Sequence, residues 1–275
     1  MNKGESIKMR KIKLMVGYIS VIMILIGGMI YYDKDSKVIN VNVEELSNIK
    51  IAWGVKRVSN HEQPDLGKKN MELMNQYNGI AIGNKDKKYV YLTFDGGYEA
   101  GYTEKILDTL KENNVSATFF ITGHYLNTAG DIVQRMVDEG HIVGNHTVNH
   151  YTMPNLADEK IREEIVNLQT AVFEKTGYEM KYIRPPKGEY SERTLALSNN
   201  LGYTTVMWSL AYDDWDEKKQ GRTEYGKEKI LSNIHPGSVI LLHSTSKDNA
   251  EILGEVIKDI KNMGYEFRSI DDFEK

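Results

Sequence analysis

YVYLTFDGGYEAGYTEKILDTL, residues 89–110, sets a short apolar run rich in aromatic and β-branched residues just before an acid and two glycines. An amphipathic stretch then begins at Thr103. That order reads as a buried β-strand turning over into a helix. The same alternation repeats along the chain. ATFFIT (117–122), HIVGNH (141–146), KYIRPP (181–186), TTVMWS (204–209), SVILLH (238–243) and YEFRSI (265–270) read as strands. Residues 103–114, 131–139, 158–176, 191–200 and 249–263 read as the helices between them, with Ile161, Ile165, Leu168 and Val172 on one helical face. Gly140, Gly177, Gly202 and Gly264 each stand where a helix must stop before the next strand. Strands alternating with helices predict an α/β fold, a distorted (β/α) barrel of about seven parallel strands.

The rest of the chain surrounds this core. Of its 275 residues, 40% are hydrophobic and 27% charged, which fits a globular protein, and a mean hydropathy of −0.48 excludes a polytopic membrane protein. No cysteine is present, so thiolate metal sites, disulfides and cysteine nucleophiles are excluded. Residues 1–32 carry five basic residues and one acid, leaving 30 basic and 38 acidic residues in 33–275. So acidic a remainder argues against a nucleic-acid partner. Leu14–Tyr32 is an uncharged run of 19 residues behind a basic flank. It predicts one N-terminal transmembrane helix with a membrane-anchored, extracytoplasmic catalytic domain; a cleaved signal peptide is the alternative. Residues 1–32 are thus expected to be flank and anchor, 33–88 a linker and N-terminal extension, and 89–275 the barrel.

Ionisable residues gather at one place in this pattern. Asp95, His146, Arg184 and His243 end or follow different strands, and Asp214 lies in a loop at the same edge. In parallel α/β barrels the active site forms at that carboxyl-terminal edge. His146 and His150, in HTVNH, are four apart; on one face of a helical turn they converge on a metal, or else they are two surface histidines. Arg184, in the stiff RPPKGEY loop, either forks onto a carboxylate or is a surface cation. His243 is either chemical or a satisfied core histidine. His124 lies at the same edge. His235, in the turn before a strand at the opposite edge, is expected to do no chemistry.

TFDGGYE (93–99), HTVNH (146–150), RPPKGEY (184–190), WSLAYDDW (208–215) and LLHS (241–244) fall in an order and spacing that resemble the five motifs of the polysaccharide deacetylases, the carbohydrate esterase family with the NodB homology domain. IAWGVKR (51–57), TFDGGYEAGYT (93–103) and HSTSKDNAE (243–251) are similar to its PdaA-like branch, which forms muramic δ-lactam in spore cortex. The resemblance implies a divalent metal, usually zinc, held by His146 and His150. It implies Asp95 as catalytic base, Arg184 as the residue that orients it, and His243 as general acid supported by Asp214. It also implies an oxyanion-stabilising backbone N–H near Tyr190, and substrate contacts from Trp215 and His124; Trp208 is core or sugar-facing. The implied partner is peptidoglycan glycan, as N-acetylmuramic acid. The implied place is the cell envelope, between the forespore membranes. A general peptidoglycan or chitin-type deacetylase and a weakly catalytic glycan-binding domain are the alternatives. One departure stands out. The usual family motif has a second aspartate, a metal ligand, where this chain has Gly96. Glu99, another side chain or a water are the candidates to fill that gap.

Overall fold

The computed structural model describes residues 41–275. The expected transmembrane segment lies outside them. Among the described residues no helix is long and apolar enough to cross a membrane. The membrane-anchored, extracytoplasmic localisation expected from the sequence is corrected on that finding.

Seven strands form one parallel path in the spatial order β7, β5, β4, β3, β2, β9, β8. They are β2 (Tyr89–Gly96), β3 (Thr118–Ile121), β4 (Ile142–Asn145), β5 (Tyr182–Ile183), β7 (Thr204–Thr205), β8 (Leu210–Ala211) and β9 (Ser238–His243). β10 (Glu266–Phe267) adds to the start of β2. β1 (Ile51–Ala52) pairs antiparallel with β6 (Glu189–Tyr190) in a separate two-stranded ribbon. Helices α1 (Lys68–Gln76), α2 (Thr103–Glu112), α3 (Gly123–Asp138), α4 (Asp158–Thr176), α5 (Glu192–Asn200), α6 (Thr223–Asn233) and α7 (Lys247–Asn262) are the α-helices among the described residues, beside four short 3-10 turns.

These seven parallel strands fit the expected distorted barrel, which is open on one side. β7 and β8 end the path without pairing to each other, although they are adjacent in sequence. TTVMWS, read as one strand, therefore ladders only over Thr204–Thr205. Its next residues cross the open seam: Val206 N–H donates to Ile183 O, Met207 N–H to Ile80 O and Ser209 N–H to Val239 O. Ile80 arrives from the N-terminal extension and bridges Val206 in parallel.

Helix boundaries follow their caps. α4 starts with Asp158 and Glu159, ends with Lys175, and is stopped by left-handed Gly177, as its sequence requires. α3 begins eight residues earlier than its periodicity suggests. Thr122 caps it by accepting the Tyr125 N–H, and a non-helical Ala129 separates this first part from the periodic second part. α1 and α6 escape a reading based on strand–helix alternation, and α6 carries a glycine in its interior.

The twofold period of the strands sorts the core into two layers. Val90, Leu92, Phe94, Phe119, Ile121, Val143, Ile240 and Leu242 pack with the helices. Tyr91, Phe120, Ile142, Val206, Val239 and Ile80 fill the inside of the sheet. Continuing that alternation by one or two residues brings Asp95, His146, Arg184 and His243 onto the inner face at the carboxyl-terminal edge. Phe120 lies flat there because β4 offers Gly144 opposite it; a Cβ at Gly144 would come within 2.4 Å of the Phe120 ring. The Arg184 guanidinium rests over that ring at 4.2 Å. Gly144→Ala is expected to lower stability by about 1–3 kcal/mol through overpacking, read as a shift in the urea midpoint.

Candidate active site

Arg184 is the largest fully buried side chain, with no exposed surface. Its Nη1 donates to Asp95 Oδ1 at 2.7 Å and its Nη2 to Thr93 Oγ1 at 2.9 Å. Nε donates to Val206 O at 3.0 Å, and Nη2 also reaches Met207 O at 3.3 Å. Those two carbonyls belong to the seam where no strand pairs. The guanidinium thus satisfies backbone acceptors of the open barrel while orienting a carboxylate. Burial opposes ionisation of Asp95, but Arg184, then His146 and His243, outweigh it and hold its pKa below the usual carboxylate value.

His146 and His150 do converge, though without the helical turn expected of them. Thr147 and His150 both adopt positive φ, 65° and 56°, and no helix covers this segment. The loop is tied by Thr147 Oγ1 accepting the His150 N–H and by Glu164, which accepts from both Asn149 N and Nδ2. His146 Nδ1 lies 2.8 Å from Arg184 O. A carbonyl only accepts, so Nδ1 carries the proton and Nε2 bears a lone pair. That Nε2 stands 3.1 Å from His150 Nε2 and 3.5 Å from Asp95 Oδ2. Burial lowers both imidazole pKa values, His150 to about 4 with the help of His146. Neutral imidazoles turned nitrogen to nitrogen are a donor set that fits a divalent cation such as zinc. The Nδ1 bond to a backbone carbonyl is the usual outer support of such a ligand. Among the described residues no group of three or more His, Cys, Asp or Glu is placed to hold a metal. The donor set is the two histidines.

Glu99 does not fill the place left by the missing aspartate. Its carboxylate accepts from the backbone N–H groups of Gly101, Tyr102 and Thr103, from the Thr103 hydroxyl, and from Tyr125 Oη at 2.8 Å. It caps α2. A Cβ at Gly96 would meet Ser244 Oγ and the Tyr125 ring at 3.1 Å, so this space is already crowded.

On the other side, His243 Nδ1 lies 2.8 Å from Asp214 Oδ1. Asp214 Oδ2 accepts the His243 N–H and Asn249 Nδ2. Burial disfavours the imidazolium, yet Asp214 outweighs it and the His243 pKa is raised. Asp95 and His243 are direct register partners on β2 and β9. Asn249, which also accepts from Tyr212 Oη, carried no role in the sequence reading; six residues after His243 and on the following helix, its position gave no sign of a shared carboxylate.

The remaining candidates divide. His124 is exposed and lines a cleft of about 500 Å³ with His150, Asn127 and Asn149. Trp215 is 62% exposed beside Asp214. Trp208 is half-buried, and its carbonyl accepts Trp53 Nε1. The Tyr190 phenol is fully buried and bonded to Asn70, so its side chain cannot meet a substrate. His235 is buried, between Asn233 O and Ser209 Oγ.

Comparison with known proteins identifies the family. A family model described as polysaccharide deacetylase matches residues 82–206. The peptidoglycan-N-acetylmuramic acid deacetylase PdaA of Bacillus subtilis (strain 168) is 43% identical over 235 residues, covering 84% of this chain and 89% of the relative. An uncharacterized 30.6 kDa protein of Geobacillus stearothermophilus is 52% identical over 228 residues, covering 82% and 86%. The solved structure of Bacillus subtilis PdaA, a family 4 carbohydrate esterase, superposes with a TM-score of 0.81, covering 83% of this chain and 98% of that one. With these relatives and this fold, the chain belongs to the polysaccharide deacetylase family and is a hydrolase acting on amide bonds.

Proposed function

We propose that this hydrolase removes the N-acetyl group from N-acetylmuramic acid in peptidoglycan, using Asp95 as base and His243 as acid. The observation that carries the reading is the pairing of these two groups across adjacent strands with opposite electrostatic support. Arg184 favours the anion of one, and Asp214 favours the cation of the other. The likeness to a Bacillus subtilis protein named for this substrate supports the choice of sugar. In domain terms, residues 89–275 carry the catalytic barrel and 33–88 a linker and N-terminal extension, whose described part from residue 41 packs on it.

Each residue has a task set by its contacts. Arg184 occupies Asp95 Oδ1, leaving Oδ2 to take a proton as water attacks the acetyl carbonyl carbon. The new C–O bond pushes the carbonyl electrons onto oxygen. His243 holds its Nδ1 proton toward Asp214, so Nε2–H faces outward and passes its proton to the amide nitrogen. The C–N bond then breaks, leaving acetate and a free amine. His146 and His150 would hold a divalent cation, zinc by their donor type, which when bound polarises the carbonyl and acidifies the water. Trp215 and His124 line the approach and are proposed to contact the glycan. On a muramic residue without its stem peptide, the freed amine can join the neighbouring lactyl carboxyl with loss of water, giving the δ-lactam of spore-cortex glycan.

Acetate release from peptide-stripped glycan is expected to exceed that from peptide-bearing strands and chitin oligomers; equal rates on all three would make the chain a general deacetylase. Asp95→Asn keeps an acceptor for Arg184, so the fold should hold while kcat falls roughly 10²–10⁴-fold. Removing divalent metal with a chelator should abolish acetate release, and zinc should restore it; release unchanged by chelation rejects the two-histidine site. The pH profile follows from His243. A raised pKa extends the range in which the acid is protonated, so the alkaline limb of activity lies above the ordinary imidazole value. Asp214→Asn removes the support and should move the alkaline limb of kcat/KM down by about 1–3 units.

A further inference from the structure

The loop that carries Arg184 also holds a strained, unpaired cation. Lys187 sits at φ 60°, ψ 8°, followed by Gly188 at φ 65°. Two successive left-handed residues, the first with a side chain, need a reason. The restraint comes from the N-terminal extension, in the IAWGVKR segment. Trp53 N–H donates to Gly188 O at 2.9 Å, and Ile51 and Ala52 pair with Tyr190 and Glu189. A Cβ at Gly188 would lie 2.6 Å from the Trp208 ring, whose backbone carbonyl is bonded by Trp53 Nε1.

This clamp leaves Lys187 exposed in the loop between Arg184, whose carbonyl holds His146, and Glu189, which accepts from Thr152 just after His150. Glu189 is already engaged by Lys50 at 2.7 Å and Thr152 Oγ1 at 2.6 Å. Asp95 is engaged by Arg184. Among the described residues, Lys187 makes neither an ion pair nor a side-chain hydrogen bond, so an anion from outside is its fitting partner.

The chemistry of the sugar supplies one. N-acetylmuramic acid bears its acetamide and its lactyl ether on neighbouring ring carbons. An acetamide placed at His146 and His150 therefore carries the lactyl group toward the rim of the same site. That group ends in a carboxylate when the stem peptide is absent, and in a neutral amide when it is present. Resting on the proposed function, we propose that Lys187 is a specificity-determining residue that pairs with the lactyl carboxylate of peptide-stripped muramic acid. The extension at 51–53 holds it in place.

The test compares wild type, Lys187→Gln and Lys187→Arg in the full chain on two substrates. One is peptide-stripped glycan; the other is the same glycan with its lactyl carboxyls converted to amides. Glutamine and arginine meet the left-handed backbone at the same cost as lysine, so folding is not the variable. Wild type should show a KM roughly tenfold lower for the carboxylate glycan. Lys187→Gln should erase that preference with kcat within about twofold, and Lys187→Arg should retain it. Equal KM changes on both substrates, or no preference in the wild type, overturns the assignment. Calorimetric titration of the same glycans reads the preference without turnover. Absent acetate release with preserved carboxylate preference in binding would therefore sink the proposed function and leave the role of Lys187 standing.

Discussion

A fully buried guanidinium bonded to a buried carboxylate is the constraint on which the rest of this site depends. Breaking such a pair by removing one partner costs about 3–5 kcal/mol, because the survivor is left charged and unpaired. Arg184 is committed further than an ordinary ion pair. Two of its hydrogen bonds go to carbonyls of Val206 and Met207, at the place where the sheet fails to close. Catalytic geometry and barrel integrity therefore share one side chain, and neither tolerates its loss separately.

Around that pair, the site separates its ionisable groups by environment. Two histidines, His146 and His150, are pushed toward the neutral form by burial, His150 also by His146, which suits ligands. A third, His243, is buried as well, yet Asp214 turns it toward the cation. Identical side chains thus take opposite roles because of what stands behind them. The crowding of Gly96 by Tyr125 and Ser244 belongs to the same picture. Tyr125 also bonds the Glu99 cap of α2, so the ring that occupies the place of an additional ligand is held by the helix that follows β2.

Strands were easier to read than the loops that do the work. SVILLH and the 158–176 helix were legible to the residue, because a continuous apolar run and a capped amphipathic face are local patterns. β8 was not legible, since two residues have no period, and neither was the open seam beside it. The turn of His146–His150 misled for a physical reason. Spacing of four is helical only if the backbone is, and here left-handed Thr147 and His150 bring the rings together instead. Lys187 was visible as a residue of its motif, but nothing in RPPKGEY announces that its backbone is clamped by a tryptophan more than a hundred residues earlier.

By itself, the sequence determined the parallel α/β class, the edge at which Asp95, His146, Arg184 and His243 gather, and the absence of a second aspartate at Gly96. The first two follow from order and twofold alternation, which are properties of neighbours in the chain; the third is a departure from the motif of the family that the sequence resembles. Tertiary structure alone decided that the barrel stays open and that Arg184 bonds backbone carbonyls beside the opening. It also decided that Glu99 is a helix cap and that Asn249 shares the carboxylate of Asp214. Those outcomes depend on hydrogen bonds between residues far apart in sequence. Such bonds form only once packing has removed water as the competing partner.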